Sequence, residues 1–469
     1  MSATSRPMET LEKALALNLD PTQYGTFAEI GAGQEVVRWF FRAGGAAGTI
    51  AKSISAYDMT VSDAIYGKCK RYVCRERLEQ MLDYEYELNL SRLADHREVE
   101  SAYFAFADTV VARSYRGDHE CHGWMGIKFQ TGPGDDYSKI IIHVRMLDND
   151  AIFQQEALGI VGVNLVYGAF QFNASPEDLL ASLLDGLSTD RIEVDMVDFA
   201  GKAFQSVDNR VMSLRLVQLG LSEAAMFSSD GMVLQASEVL RKQAVLVERG
   251  SFRPVTKVNV DMFRCAQAQF LEGLGDDQAP VALMEITMNS LMVEGELDLD
   301  DFLDRVDIMS AAGVTVLISD YFEFYRLAQY LRRSTTGRIA LVLGAGSLLD
   351  LFNEKYYQKL EGGILEAFGR LFKNELTLFV YPLRNPENGE LITADTLNVG
   401  DDLEGLYRFL IARGQIEAIR GYREDILHIF SRDVLRLIRA GDSAWEEMVP
   451  NRVAEIIRSR GLFGFKKVV

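Results

Sequence analysis

From about residue 160 the chain alternates short apolar runs with helix-length amphipathic segments, and this rhythm restricts the fold more than any other feature of the sequence. The runs are GVNLVYGAF, RIEVDMVD, EAAMFSS, AVLVERG, VALMEIT, VTVLISD, RIALVLG and LTLFVYP, separated by segments such as PEDLLASLLDGL, LDDFLDRVDIMSAAG and YFEFYRLAQYLRRST. Strand and helix in repeated succession imply parallel strands, because a parallel pair has to be joined by a long crossover. Eight such units predict a closed (β/α)8 barrel over residues 159–385. A doubly wound parallel sheet is the alternative, and two smaller α/β domains a third arrangement. Residues 386–469, with LEGLYRFLIARG, REDILHIFSRDVLRLIRAG and VPNRVAEIIRSRG, read as a helical extension whose apolar stripes pack on that α/β domain.

The first 158 residues have a different pattern and predict an α+β domain. Helices are expected around a glycine-rich turn in the first 60 residues, where Val36, Val37, Trp39, Phe40 and Phe41 lie too densely for an exposed helix. Leu78, Met81, Leu82 and Leu88 place a second helix at about Arg75 to Leu93. Three β-like runs follow, SAYFAFADTVVARSY, HGWMGIKFQ and KIIIHVRML, and their short connections suggest an antiparallel meander.

Length bears on domain count: 469 residues exceed what one core usually organises. The net charge of −19 is spread without blocks of like charge, so phosphate backbones and anionic lipid surfaces are repelled, and neither nucleic acid nor membrane is an expected partner. A small phosphorylated molecule or another protein is expected instead. Four cysteines (Cys69, Cys74, Cys121, Cys265) make no disulfide framework, and MSATSRPMETLEKAL lacks the order of a signal peptide, so the expected location is the cytoplasm.

Carboxylates cluster near the C-terminal ends of the proposed strands: Asp195 and Asp198, Glu248, Glu285 and Asp320. Parallel α/β folds place their sites at that edge, where loops converge and helix N-termini point inward. A ring of Asp195, Glu248, Glu285 and Asp320 would do acid and base work or hold a divalent cation such as Mg²⁺. By the period of two, Glu193 shares a face with Asp195, and Glu285 with Thr287 and Asn289. The plainer reading has Asp198 and Asp320 capping the helices that follow.

Phosphate has two candidate contacts. In RIALVLGAGSLLDLF, Gly344, Gly346 and Ser347 stand between an apolar strand and a helix, where backbone N–H groups suit an anion. In AVLVERGSFRPVT, Ser251 and Arg253 belong to a turn that resembles the G-S-F-x-P turn of nicotinate-nucleotide adenylyltransferases. That family continues into H-x-G-H, whereas Thr256 and Asn259 stand at the histidine positions here. Losing groups that stabilise a transition state costs several kcal/mol, so adenylyl transfer by that mechanism is not expected. The stretch TFAEIGAGQEVVRWF resembles the glycine turn of S-adenosylmethionine-dependent methyltransferases at Glu29, Gly31 and Gly33 but departs from it at Gln34 and Glu35, and a buried helix start is the expected structure. His119, Cys121 and His122 form the His/Cys cluster of the sequence, short of the paired spacing of a structural zinc site, and Cys265 reads as inert core.

Over nearly its whole length, in strings such as LEKALALNLDPTQYGTFAEIGAGQEVVRWFF, RGSFRPVT, EKYYQKLEGGILEAFGRLFKN and WEEMVPNRVAEIIRSRGLFGF, the chain resembles an uncharacterised family of bacterial cytoplasmic proteins. Its members carry inconsistent names, among them nicotinate-nucleotide adenylyltransferase and TonB-dependent receptor. The receptor label conflicts with the absence of alternating lipid-facing strands. The functional expectation is an enzyme or enzyme-like protein that binds a phosphorylated or nucleotide-like small molecule at the C-terminal strand edge. The alternative is a non-catalytic scaffold or ligand sensor.

Overall fold

The computed structural model describes residues 8–466 apart from 95, 98–99, 114–119, 274–278, 294 and 386–387. The chain divides into two units, Met1–Glu223 and Ala224–Val469.

The first unit runs α1 (Thr10–Asn18), β1 (Gln23–Gly31), α2 (Val36–Ala43), β2 (Ile50–Ile54), α3 (Met59–Tyr66), α4 (Arg75–Leu93), β3 (Ala102–Val111), β4 (His122–Phe129), β5 (Ser138–Met146), α5 (Ala151–Gln171), α6 (Pro176–Ser182), β6 (Ile192–Gly201) and α7 (Asn209–Gln218). Its six strands form one sheet in the order β2-β1-β3-β4-β5-β6. β2, β1 and β3 are parallel, and β3 through β6 pair antiparallel, so the expected meander is present and extended at both sides. Alternation along the strands sends Phe27, Phe104, Phe106, Met125, Ile127, Ile140 and Ile142 to one face, where α1, α2, α5 and α6 cover them. α4 packs on the opposite face, with Tyr86 against Tyr103 and Ala105.

Several expectations for this unit are corrected. TFAEIG is a strand followed by the short helix α2, because glycines at 31 and 33 end the extended run before Val36. GVNLVYGAF is the middle of α5 and no strand: its residues are buried nearly all round, and such a segment carries the same unbroken apolar run in either state. α5 begins at Ala151, so the expected boundary near residue 158 falls within a helix. RIEVDMVD is a strand, β6, but it joins the first sheet antiparallel to β5.

The second unit begins with β7 (Ala224–Phe227), β8 (Val233–Leu234), α8 (Ala236–Val239), β9 (Val245–Arg249), α9 (Lys257–Glu272), β10 (Val281–Thr287) and α10 (Met288–Leu291). The hairpin β11 (Met292–Val293) and β12 (Glu296–Leu297) leads to α11 (Leu299–Ala311), β13 (Thr315–Ser319), α12 (Phe324–Ser334), β14 (Ile339–Gly344), α13 (Ala345–Leu351), α14 (Gly363–Leu371) and β15 (Thr377–Tyr381). A second hairpin, β16 (Leu383–Arg384) and β17 (Leu391–Ile392), precedes α15 (Asp401–Ala412), β18 (Ile416–Ala418), α16 (Ser431–Ala440) and α17 (Asn451–Arg460).

This unit holds an open eight-stranded sheet in the order β18-β15-β14-β9-β10-β13-β7-β8. β9, β10, β13, β14, β15 and β18 are parallel; β7 and β8 add an antiparallel edge. Counted along the chain, the six parallel strands lie in the spatial order 3-2-1-4-5-6, a doubly wound arrangement in which the order reverses between β9 and β14. Helices cover both faces. α9 packs Met262, Cys265, Ala266 and Phe270 on Leu246, Ala340 and Val342, while α12, α14 and α15 pack on Val245, Val247, Leu283 and Leu341.

The expected closed barrel is therefore corrected to the open sheet. Of the eight anticipated parallel strands, GVNLVYGAF is helical, RIEVDMVD lies in the other unit and EAAMFSS runs antiparallel, leaving too few for closure. α15 and β18 complete this sheet, so the segment expected as a purely helical extension contributes its edge. Among the described residues no helix is long and apolar enough to cross a membrane.

In the first unit α5 packs closely against α2. A Cβ at Gly162 would stand 2.3 Å from Val36 Cγ2 and 3.0 Å from Met125 Cε. Gly369 in α14 has nothing within 4 Å of its Cβ position. Gly162→Val is accordingly expected to cost about 1–3 kcal/mol through overpacking. Gly369→Ala is expected to stabilise by up to about 1 kcal/mol through helix propensity. Equilibrium urea unfolding of both variants checks the contrast.

Candidate functional site at the strand ends of the second unit

β9 is the central strand of the doubly wound sheet, and its last residue, Arg249, sits at the C-terminal edge next to Glu285 of β10, its partner in register. Two parallel hydrogen bonds join them, Nε to Oε2 at 2.7 Å and Nη2 to Oε1 at 2.8 Å. Ser319 at the end of β13 donates to the same carboxylate at 2.5 Å, and the Arg249 Nη1 donates to the Phe322 carbonyl at 2.8 Å. The guanidinium also lies 4.3 Å from the centre of the Phe324 ring. Glu285 is fully buried, and a charge there is tolerable because the fork of Arg249 compensates it with two charge-assisted bonds.

Above this pair opens a cavity of about 270 Å³. Phe322, Phe324, Tyr356 and Tyr357 give it aromatic walls, while Arg249, Thr287, Asn289, Ser290 and Ser347 give it polar ones. Two carboxylates, Glu323 and Asp350, also line it. The Glu323 Oε2 is buried without a hydrogen-bond partner, its nearest cation being Arg326 at 3.9 Å. Lone apolar space would be enough for packing; a cavity that gathers rings, hydroxyls and acids at a strand-end crevice is a recognition site in form.

Of the acids expected to form a ring, Glu285 lies under this cavity as the partner of Arg249. Glu248 stands opposite Met284, one residue out of phase, and so points to the other face of the sheet. There it is fully buried beneath α9, with Oε1 accepting from Asn259 Nδ2 at 2.9 Å and Oε2 without a partner. Burial pushes its carboxyl up to about 8. Asp320, just past β13, is exposed. Asp195 belongs to the first unit.

The phosphate candidates separate in the same way. Ser347 lines the cavity, with Gly344 as the residue preceding α13 and Gly346 exposed in its first turn. Ser251 is exposed, and its carbonyl accepts from Arg305 at 3.1 Å. Arg253 is ion-paired to Asp301 at 2.5 Å. Thr256 and Asn259, at the positions where the adenylyltransferase turn would have histidines, form the capping box of α9, which is a structural use of both.

Asp195 enters an arrangement that the sequence did not reveal. Its Oδ1 lies 2.5 Å from His143 Nδ1, and His143 Nε2 lies 3.0 Å from His122 Nδ1. A carboxylate only accepts, so His143 donates from Nδ1; in the neutral imidazole its Nε2 then accepts, His122 donates from Nδ1, and the lone pair is left on the His122 Nε2. Burial first, then the neighbouring His143, holds His122 down at about 4, so it is a neutral base in neutral solution. Trp124 packs edge-on against His143 at 4.9 Å. The signal was two histidines and an aspartate on three successive meander strands, but only strand register shows that they meet. In the cluster expected at 119–122, His119 lies outside the described residues and Cys121 packs on the apolar core of the unit. Asp198 takes an ion pair with Arg75.

Glu29 and Asp108 are a second acidic pair, neighbours in register on β1 and β3 and both buried. Glu29 accepts the Val36 N–H at 3.0 Å, and Asp108 has the Ile30 backbone N–H beside it. Burial is the main cause that raises both carboxyls above their usual range; Glu35 adds to it for Glu29, and Glu29 adds to it for Asp108.

No family model and no curated protein matches this chain. Solved structures do. The competence/damage inducible protein CihA from Agrobacterium tumefaciens matches with 16% identity over 36% of this chain and 99% of its own, at a TM-score of 0.27. A competence-damaged protein (CinA) superfamily protein from Klebsiella pneumoniae matches with 12% identity over 35% of this chain and 99% of its own, also at 0.27. A competence or damage-inducible protein from Enterobacter asburiae matches with 13% identity over 36% of this chain and 100% of its own, at 0.26. This is a partial structural similarity to CinA superfamily structures over about a third of the chain. It corrects the family expected from the sequence, whose adenylyltransferase and receptor labels none of these matches carries.

Two outcomes follow from the acids. For Glu248 the folded state keeps a proton up to about 8 that the unfolded chain releases near 4.5, so stability falls as pH rises through that window. The slope is roughly 1.4 kcal/mol per pH unit for one such group. Glu248→Gln is expected to flatten it, gaining on the wild type between pH 5 and 8 in denaturant titrations, as roughly set by that window. Asp195→Asn, which can either donate or accept, releases the tautomer constraint. Long-range proton–nitrogen spectra are expected to show His122 Nε2 unprotonated in the wild type and both tautomers in the variant.

Proposed function

We propose that the second unit is a small-molecule-binding domain whose ligand is nucleotide-like and enters the cavity at the C-terminal strand edge. The observation that carries this reading is the cavity itself, set above Arg249 and Glu285 where the strand order reverses. Such a crevice is where doubly wound sheets take their ligands.

The lining favours a flat ring with hydrogen-bonding edges. Four aromatic side chains offer stacking and edge contacts, and Thr287, Asn289 and Ser290 offer hydroxyl and amide partners for a base or a sugar. The phosphorylated part of the ligand has Ser347 on its side and the carboxylates of Glu323 and Asp350 against it, since the one arginine of the lining is already neutralised by Glu285. A phosphate therefore lies toward the turn at Gly344 and Gly346, with Mg²⁺ as a screen for the two acids. Adenylyl transfer finds no support in the capping roles of Thr256 and Asn259.

Thermal unfolding with adenosine, AMP, ATP and a sugar phosphate, each with and without Mg²⁺, tests the reading. A bound ligand at a hundred times its Kd stabilises by about 2.7 kcal/mol. Stabilisation by a nucleoside or nucleotide is expected, and Ser347→Trp, a change at an exposed position on the cavity wall, is expected to abolish it without lowering the melting temperature of the free protein. If no probe shifts the transition, the domain is a scaffold and the reading fails.

A further inference from the structure

Outside both networks described above, the described residues bring one group of metal-type donors together: Cys69, Cys74 and Glu76, whose ligand atoms all lie within 4.8 Å of one another. Cys69 is in the segment between α3 and α4, Cys74 is the residue capping α4, and Glu76 is in its first turn. Cys69 Sγ is 3.7 Å from Cys74 Sγ and 3.6 Å from Glu76 Oε2. Bonds of about 2.3 Å to sulfur and 2.1 Å to oxygen at tetrahedral angles put two thiolates roughly 3.8 Å apart and a thiolate and carboxylate oxygen roughly 3.6 Å apart. The two separations from Cys69 match these figures, and the Cys74 sulfur lies within 4.8 Å of the Glu76 ligand oxygen.

We propose that Cys69, Cys74 and Glu76 bind one zinc-class divalent ion, with a fourth coordination position open to water or a ligand. Two sulfurs select a borderline or soft metal over Mg²⁺ or Ca²⁺. Two thiolates and a carboxylate outweigh the ion by one negative charge, and the local sequence KCKRYVCRE supplies Lys68, Lys70 and Arg71 to offset it. The Arg77 N–H, 3.5 Å from Cys74 Sγ, is a donor to that sulfur. Without metal, Cys74 gives its thiol proton to the Arg71 carbonyl at 3.0 Å; binding the ion releases that proton and the one on Cys69 to solvent. Three protein ligands and one open position are the composition of a reactive zinc site; structural sites are closed by a fourth.

Full-length protein, reduced and stripped of metal, is titrated with Co²⁺ as the probe. One equivalent is expected to bring up a thiolate-to-metal absorption in the near ultraviolet together with the intense visible bands of a four-coordinate ion, both displaced by Zn²⁺. Cys69→Ser is expected to lose the near-ultraviolet band. Glu76→Gln, a change at an exposed position, keeps the band and weakens binding at least tenfold, and Cys265→Ser changes nothing. In the wild-type protein one equivalent of Zn²⁺ is expected to slow alkylation of Cys69 at least tenfold, a readout that does not depend on any variant folding. Absence of the thiolate band, its survival in Cys69→Ser, or peroxide joining Cys69 to Cys74 as fast with Zn²⁺ as without it overturns the proposal and leaves a plain dithiol pair.

Discussion

A central strand of a doubly wound sheet has no face open to water, and that restriction governs the second unit. In β9, Val245 and Val247 serve one face and Leu246 the other, so any charge on the strand has to be neutralised or protonated where it stands. Glu248 and Arg249 show the two solutions side by side. Arg249 reaches across to Glu285 and becomes half of a bidentate ion pair, whereas Glu248, on the opposite face, keeps its proton. The ion pair also fixes the floor of the cavity, because Arg249 binds the Phe322 carbonyl and lies over the Phe324 ring, tying the ends of β9, β10 and β13 together.

The first unit follows the same logic with a different outcome. Its sheet is covered on both faces in the middle, and its polar side chains are arranged as chains of partners. Asp195 orients His143, which orients His122; Glu193 takes Arg145 and a hydroxyl from Ser222. Each link sets the protonation of the next, so one carboxylate decides which nitrogen of a histidine two strands away carries a lone pair.

Local signals in the sequence read well where the period is unambiguous. Helix α4 occupies the very span that Leu78, Met81, Leu82 and Leu88 mark out, and the three meander strands lie where alternation and turns place them. Five of the apolar runs of the second unit are its parallel strands β9, β10, β13, β14 and β15. The misreading of GVNLVYGAF has a plain cause, which is that an unbroken apolar run reports burial and not conformation. α5 was the price of that ambiguity, and the three residues of β18, too few to show any period, escaped notice for the opposite reason. For the site, periodicity relates Glu285 to Thr287 along β10, whereas Asn289 reaches the same cavity from α10, beyond the end of that strand. It could not relate Glu285 to Glu248, since which residues of neighbouring strands share a face is a property of the pairing and of neither strand alone.

The sheet of the second unit ends on very short borders. β18 has three residues on one side and β8 two on the other, beyond the four of β7. An exposed strand is a ready template for another chain, and its hazard grows with the length of unpaired backbone it presents. Borders this brief give an incoming strand almost nothing to zip onto, so the same sheet that carries a long hydrophobic interior is poorly suited to recruiting copies of itself side by side.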